Sequence, residues 1–452
     1  MKKTNDFGKD PIPVLVLKVS VPFMFAQFVN VLYSIVDRIY IGNIPVIGGD
    51  SLAGAGVCAP IITLLSSFGT WIGIGGSVLF SIRLGAEDRK GAERILATSF
   101  SMLIGLSLVL TVVFLLCKER LLWWFGASEA TFGYADTYLT IYTMGTFFAL
   151  LSMGMNYFIT AQGYPFLGMA TTLIGAVINI VLDLYFVVSC GWGVAGAAFA
   201  TILAQWFSGV GLLIYKWLKC PQLKVGRQQM RVCRETVREV TGASVLTCLQ
   251  QSVMNLGILM VQGLVNSFGA SVMAAFAAAV KIDSFAYMPL QDFGNAFSTF
   301  IAQNYGAKKK DRIREGIRCA VRTAVIFALC VSAVVVIFAR VFLLIFIRPE
   351  ETEILAIGVS YLRVVGAFYV GIGGLFLLYG LYRAIERPAM SLVLTVISLG
   401  TRVLLAYALS AVPGIGVLGI WWAVPIGWAL ADVTGVVYYR HIRKKEDRCT
   451  NS

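Results

Sequence analysis

Gly-Ala-Glu-Asp-Arg-Lys-Gly-Ala-Glu-Arg-Ile at 85–95 returns as Gly-Ala-Lys-Lys-Lys-Asp-Arg-Ile-Arg-Glu-Gly-Ile at 306–317, an offset of 221 residues. Two further pairs keep nearly the same spacing. Gly-Tyr-Pro-Phe at 163–166 answers Glu-Arg-Pro-Ala at 386–389, with Pro165 and Pro388 separated by 223. Gly-Trp-Gly-Val-Ala-Gly at 191–196 answers Gly-Ile-Gly-Val-Leu-Gly at 414–419, again at 223. A repeat of half the chain in so apolar a protein is the pattern of a two-lobed transporter.

Working outward from the repeat, 58% of the 452 residues are hydrophobic and only 13% are charged, against about a quarter charged in soluble domains. Apolar runs long enough to cross a bilayer as helix fall at 12–41, 53–82, 97–117, 134–161, 165–190, 193–218, 240–268, 272–302, 318–347, 354–382, 389–411 and 417–440. None alternates with the period of a barrel strand. The fold class is therefore an all-α polytopic membrane protein of twelve transmembrane helices in two pseudo-symmetric six-helix lobes. The stretch 216–238, with seven Lys or Arg, joins spans 6 and 7. The lobes are expected at 1–222 and 223–452, as parallel repeats about an axis along the membrane normal.

The net charge of +13 follows topology. With the N-terminus inside, the inner connections hold 28 Lys and Arg and the outer ones 4 (Lys118, Arg120, Arg340, Arg348), with five inside spans. That bias predicts a multi-pass protein of the cell membrane with both termini cytoplasmic. The basic runs then serve orientation and attraction to anionic membrane lipid, and no nucleic-acid partner is implied. The first ten residues are polar and no cleavable signal is evident. Nine cysteines lack a C-x-x-C pair and read as small apolar residues. The one histidine, His441, lies in the basic tail. Most histidine-based metal and triad chemistry is thereby excluded, no catalytic residue is assigned, and no cofactor is expected.

Polar groups in lipid are costly, so their spacing is informative. In span 1, Gln27, Asn30, Ser34 and Asp37 follow one helical stripe. Asn179 and Asp183 stack on one face of span 5, and Thr201, Gln205 and Ser208 on one face of span 6. Turning the three seams toward one cavity assembles two carboxylates, an amide and a hydroxyl. Such oxygens suit a hard cation such as Na⁺, and paired carboxylates in low dielectric suit a proton equally. The competing reading pairs Asp37 with Arg38, but adjacent helical residues point about 100° apart.

The second lobe differs. Span 7 carries only neutral groups, Gln251, Asn255, Gln262 and Asn266, and the repeat sets Arg402 and Ala406 where the first lobe has Asn179 and Asp183. Span 8 brings Lys281, Asp283 and Asp292. The two acids, nine residues apart, are half a turn out of phase, whereas Lys281 and Asp292 share a face. A buried Arg402 needs a partner, and either acid could supply it. A structural ion-pair network and a substrate or coupling role are both compatible with these residues. Asp432, near the inner end of span 12, reads as interfacial. Pro22, Pro289 and Pro425 interrupt spans 1, 8 and 12 and each removes a backbone donor.

These motifs resemble the multidrug and toxic compound extrusion (MATE) transporters. Val-Leu-Tyr-Ser-Ile-Val-Asp-Arg-Ile-Tyr-Ile-Gly (31–42) is similar to the family's first-helix signature. Ala-Gln-Gly-Tyr-Pro (161–165), Asn-Ile-Val-Leu-Asp (179–183) and Gly-Val-Ala-Gly-Ala-Ala-Phe-Ala-Thr (193–201) are similar to its fourth-to-sixth-helix motifs, and Phe-Ile-Ala-Gln-Asn-Tyr-Gly-Ala (300–307) to its eighth-helix end. The resemblance implies two lobes that rock between inward- and outward-facing forms and exchange Na⁺ or H⁺ for a small organic compound, cationic or amphipathic. It implies a coupling-ion site at Asp37, Asn179, Asp183 and Thr201. Another branch of the family uses acids of helices 7 and 10, and spans 7 and 10 here have none. Asn30, Gln251, Asn255, Lys281, Asp283, Asp292 and Arg402 remain candidates for substrate contact or a second-lobe network. The protein is expected to work as a monomer. The rival within transport is a lipid-linked precursor flippase. The rival outside it, an intramembrane enzyme, lacks His-Glu-x-x-His and Gly-x-Gly-Asp motifs.

Overall fold

The computed structural model describes residues 7–42, 44, 48–219 and 233–451, and among them there is helix and no strand. The helices are α1 (Ile12–Gly42), α2 (Gly48–Gly85), α3 (Arg89–Trp124), α4 (Glu129–Met144), α5 (Thr146–Ala161), α6 (Pro165–Asp183), α7 (Gly193–Lys219), α8 (Arg234–Asn266), α9 (Ala270–Gly306), α10 (Lys310–Leu343), α11 (Thr352–Gly366), α12 (Tyr369–Ala384), α13 (Pro388–Ser410) and α14 (Val417–Asn451). Ten spans are long and apolar enough to cross a membrane, and the bent pairs α4–α5 and α11–α12 make two more. The twelve apolar runs read from the sequence map one to one onto these spans.

Two of the apolar runs, 134–161 and 354–382, are broken. α4 and α5 meet at 56°, and α11 and α12 at 50°. Neither break carries a proline. At the first, Ile202 of α7 occupies the space where a Cβ on Gly145 would lie, so the bend accommodates a neighbouring helix. By contrast Pro22, Pro289 and Pro425, and also Pro60, sit inside continuous helices.

The repeat is written in the backbone. Glu87 (φ 61°) and Lys308 (φ 55°), 221 residues apart, both take the left-handed conformation just before α3 and α10. Gly163 (φ 89°) and Glu386 (φ 58°) do so before Pro165 and Pro388, which open α6 and α13. The pairs Gly191/Gly414 and Gly193/Gly416 share it as well. Asp88 caps α3 by accepting the Gly91 amide at 2.9 Å; its counterpart Lys309 offers α10 no side-chain cap. A glutamate at a left-handed position is strained where glycine is not. Glu386→Gly is therefore expected to raise stability by up to about 1 kcal/mol, a gain reduced by the greater freedom of glycine in the unfolded chain, and read as a higher melting temperature in detergent.

The chain divides into two compact units, one mainly Leu17–Val245, the other Leu246–Tyr305 and Lys309–Ser452 with Pro11–Val16. The boundary expected at 222/223 lies outside the described residues, as does most of the basic connection around it. Within the first unit α7 packs on α4, α5 and α6, and α3 on α4 and α5. Within the second, α14 packs on α11, α12 and α13, and α10 on α11 and α12. Each of these contacts in one unit has its counterpart in the other, as a duplicated scaffold requires.

Candidate functional site

The first unit breaks its own symmetry beside an acid. α6 ends at Asp183 and the chain continues as a π-helix, Leu184–Ser189, in which the Cys190 amide donates to the Tyr185 carbonyl at 2.9 Å. The counterpart helix α13 runs as plain α-helix to Ser410. Single π turns inside helices recur at functional positions, because one extra residue re-aims the side chains around it. The uniform apolar run of 165–190 gave no sign of it.

Asn179 and Asp183 lie on the buried face of α6, 1% and 0% exposed, and Thr201 on α7 is 9% exposed. Asn179 Nδ2 donates to Thr201 Oγ1 at 3.4 Å, and Thr201 donates onward to the Ala197 carbonyl at 3.0 Å. The amide thus uses one of its two N–H groups on the hydroxyl. Asp37 of α1 and Asp183 lie within electrostatic reach of each other. Asn179 Oδ1, both oxygens of Asp183 and Asp37 Oδ1 are buried without a hydrogen-bond partner. Buried polar atoms are nearly always satisfied, so four orphaned acceptors in one region describe a place built for something that carries positive charge or a proton. Among the described residues no ion pair within 4 Å joins Asp37 to Arg38, which is exposed. No group of three or more His, Cys, Asp or Glu is placed to hold a metal there either. The donor set of two carboxylates, an amide oxygen and a hydroxyl fits a hard monovalent cation.

Three tyrosines that the polar stripes did not single out surround the acids. Tyr33 is in electrostatic reach of Asp37, Asp183 and Tyr142, and Tyr138 of Asp37, Tyr33 and Tyr142. Gln205 Nε2 donates to the Tyr142 hydroxyl at 3.4 Å and leaves Oε1 without a partner. The spacing of Tyr138 and Tyr142, four apart in span 4, was the available signal. Ser208, expected on the same seam, instead donates to the Thr171 carbonyl at 2.6 Å and ties α7 to α6. Thr201→Val keeps the side-chain shape and removes the hydroxyl oxygen. For the cation site proposed below, its expected cost is about 1–1.5 kcal/mol of cation binding, close to a tenfold rise in the half-saturating cation concentration for exchange; an unchanged value would remove Thr201 from the proposed site.

The second unit separates the residues that the sequence left together. Asp283 is buried, with the Tyr361 hydroxyl donating to Oδ2 at 3.1 Å and Arg402 in electrostatic reach. Asp292 accepts from Asn295 Nδ2 at 3.4 Å, and Asn295 Oδ1 accepts from Arg383 at 2.8 Å. Of the two acids, Asp283 is the neighbour of Arg402. Lys281 is exposed, its Nζ 5.6 Å from the centroid of the Phe346 ring. Asn30 and Gln251 are half-buried and Asn255 is exposed. Among the described residues none of these three hydrogen-bonds to a carboxylate. Asp432 Oδ1 is buried without a partner, and Oδ2 lies 3.1 Å from where Gly374 of α12 would carry a Cβ. The glycine leaves room for the acid.

Twelve spans, a duplicated six-helix unit and unpartnered intramembrane acids define a multi-pass membrane transporter of small molecules, not an enzyme. The MatE family profile matches residues 22–185 and 243–408, one segment in each copy of the repeat, and the chain belongs to that family. The chain is 26% identical to the probable multidrug resistance protein YpnP of Bacillus subtilis (strain 168), over 98% of each chain. It is 24% identical to the multidrug export protein MepA of Staphylococcus haemolyticus (strain JCSC1435), over 82% of this chain and 81% of that one. Its fold is similar to the outward-facing conformation of a multidrug resistance MATE family transporter (TM-score 0.91, 22% identity, 99% of this chain and 100% of that one). It is similar as well to a transporter of the MOP superfamily from Pyrococcus furiosus, described as having a binding pocket of reverse polarity (TM-score 0.90, 22% identity, 97% and 98%).

Proposed function

We propose that the protein is a Na⁺- or H⁺-coupled antiporter that exports organic compounds, cationic or amphipathic, across the cell membrane. The observation that carries this reading is the set of four unpartnered buried oxygens on Asp37, Asn179 and Asp183, beside Thr201. The names of the relatives, multidrug export and multidrug resistance proteins, support the substrate class.

In the proposed cycle a cation enters from outside and neutralises Asp37 and Asp183. The helices carrying them then repack, the organic compound leaves outward, and the protein returns to its inward-facing form. Both termini lie in the cytoplasm, as the Lys and Arg bias argues. The lipid around the basic segments is anionic, and the working unit is one chain. The coupling ion is Na⁺ or H⁺, since the same oxygens serve either.

The test is efflux of a fluorescent organic cation from proteoliposomes, with the Na⁺ gradient and the pH gradient imposed separately. Efflux driven by one of them identifies the ion. Efflux indifferent to both removes the coupling proposal and leaves a passive pathway. A protein that instead moves a lipid-linked precursor and ignores the organic cation would be the flippase.

A further inference from the structure

Within the second unit, the end of α14 gathers positive charge around one hollow. A cavity of about 260 Å³ is lined by Arg387, which precedes α13, and by Tyr438, His441, Ile442 and Lys445 of α14. The four α14 residues are spaced three and four apart, so they share one helical stripe. Ile442 is the buried, apolar member of that stripe. Arg387 is aimed by Tyr438, whose hydroxyl accepts from Nη1 at 3.2 Å. Tyr438 in turn lies against the ring of Tyr382, with centroids 5.9 Å apart. Tyr382 is fully buried and donates its hydroxyl to the Gly435 carbonyl. Among the described residues no ion pair within 4 Å engages Arg387, His441 or Lys445, although Glu386 adjoins Arg387.

The repeat shows that these donors belong to the second copy alone. At the offset of 223, Tyr438 answers Tyr215, whereas Arg387, His441 and Lys445 answer Tyr164, Leu218 and Gln222. Membrane orientation asks only for positive charge on this side. It does not ask three donors from two segments to converge on one cavity. The volume falls just below the range of about 300–1,000 Å³ typical of pockets that enclose drug-sized ligands. The hollow therefore suits a small anion and not a transported organic compound. A guanidinium and an ammonium together match the charge and the oxygens of a phosphate. Val433 and Val437, both exposed, precede His441 at intervals of four on the same helix. An acyl chain lying along them leaves its headgroup at the cavity. We propose that this cavity binds one phosphate group, carried by the headgroup of an anionic lipid. Arg387 and Lys445 hold its charge, His441 gives an N–H to one oxygen, and Tyr438 keeps Arg387 in place. The lipid as source rests on the anionic surroundings proposed above; the cavity itself does not, and the cation site of the first unit plays no part.

The test is the melting temperature of the full-length protein in neutral detergent at constant ionic strength. It is titrated with dioctanoyl phosphatidic acid, with dioctanoyl phosphatidylcholine and with inorganic phosphate. A ligand that binds only the folded state raises that temperature in a saturable way. Phosphatidic acid is expected to do so, and phosphatidylcholine, whose choline cancels the charge, is not. Arg387→Gln and Lys445→Gln should each raise the half-saturating concentration about tenfold, through loss of one charge-assisted hydrogen bond. Both side chains are exposed, so folding should survive. Lys90→Gln, at an exposed lysine of the first unit, should leave the concentration unchanged. Inorganic phosphate acting as well as phosphatidic acid would keep the site and remove the lipid as its source. Three results overturn the proposal: an equal response to phosphatidylcholine, an unaltered response in both Arg387→Gln and Lys445→Gln, or no saturable response to phosphatidic acid or to inorganic phosphate.

Discussion

Asp37→Asn, reconstituted in proteoliposomes, is expected to exchange substrate down its gradient but not to accumulate it. Each net positive charge moved inward releases about 2.3 kcal/mol per 100 mV, roughly a forty-fold concentration ratio. The variant should bring that ratio close to one. Asparagine is nearly isosteric with aspartate and keeps an oxygen ligand, so the loss would report the charge and not the shape. Folding should survive, because Asp37 Oδ1 has no hydrogen bond to lose and an unpaired buried charge is itself destabilising. Asp183→Asn should behave alike. If both acids hold one ion, the double variant loses no more than either single one, a non-additivity that independent sites would not show. Accumulation at the unaltered ratio in Asp37→Asn would sink the coupling site.

The largest stability effect is expected at Trp421. It is 1% exposed, stacks on Phe276 at 5.6 Å with the rings 4° from parallel, and meets Tyr361 edge-on. Removing a buried tryptophan from a soluble core costs about 3–5 kcal/mol. In a membrane, lipid is as apolar as the core, and the packing contribution dominates. Trp421→Ala should therefore cost about 3 kcal/mol, at the lower end of that range, read as a fall in melting temperature in detergent. Trp421→Phe refills most of the space and should recover more than half of the loss. A melting temperature unchanged in Trp421→Ala would mean that the aromatic cluster does not hold the second unit together.

The duplicated scaffold was legible in the sequence because its marks are local. A left-handed residue before a helix, a proline that opens one and a glycine turn are set by backbone sterics over a few residues. Those marks survive even where the side chain has changed, as between Gly163 and Glu386. The stripe containing Asn179 and Asp183 was legible for a similar reason, since helical spacing alone decides which side chains share a face. The bend at Gly145 was not, because it depends on Ile202 of α7, a residue distant in sequence, packing where a Cβ would lie. The π turn after Asp183 was hidden in an unbroken apolar run.

Taken alone, the sequence determined the twelve spans, the repeat and the face on which each first-unit acid lies. All of these follow from helical periodicity and from the cost of polar groups in lipid. Only the tertiary structure decided which polar groups share a partner. It joined Asp283 to Tyr361, 78 residues away, set Arg402 beside Asp283, and tied Arg383 to Asn295, 88 residues away. It buried Asp432 against a glycine. It also left the oxygens of Asp37, Asn179 and Asp183 without donors. Pairings of this kind depend on how helices distant in sequence cross, and a crossing is the summed outcome of side-chain packing over both surfaces, which no short stretch of either helix contains.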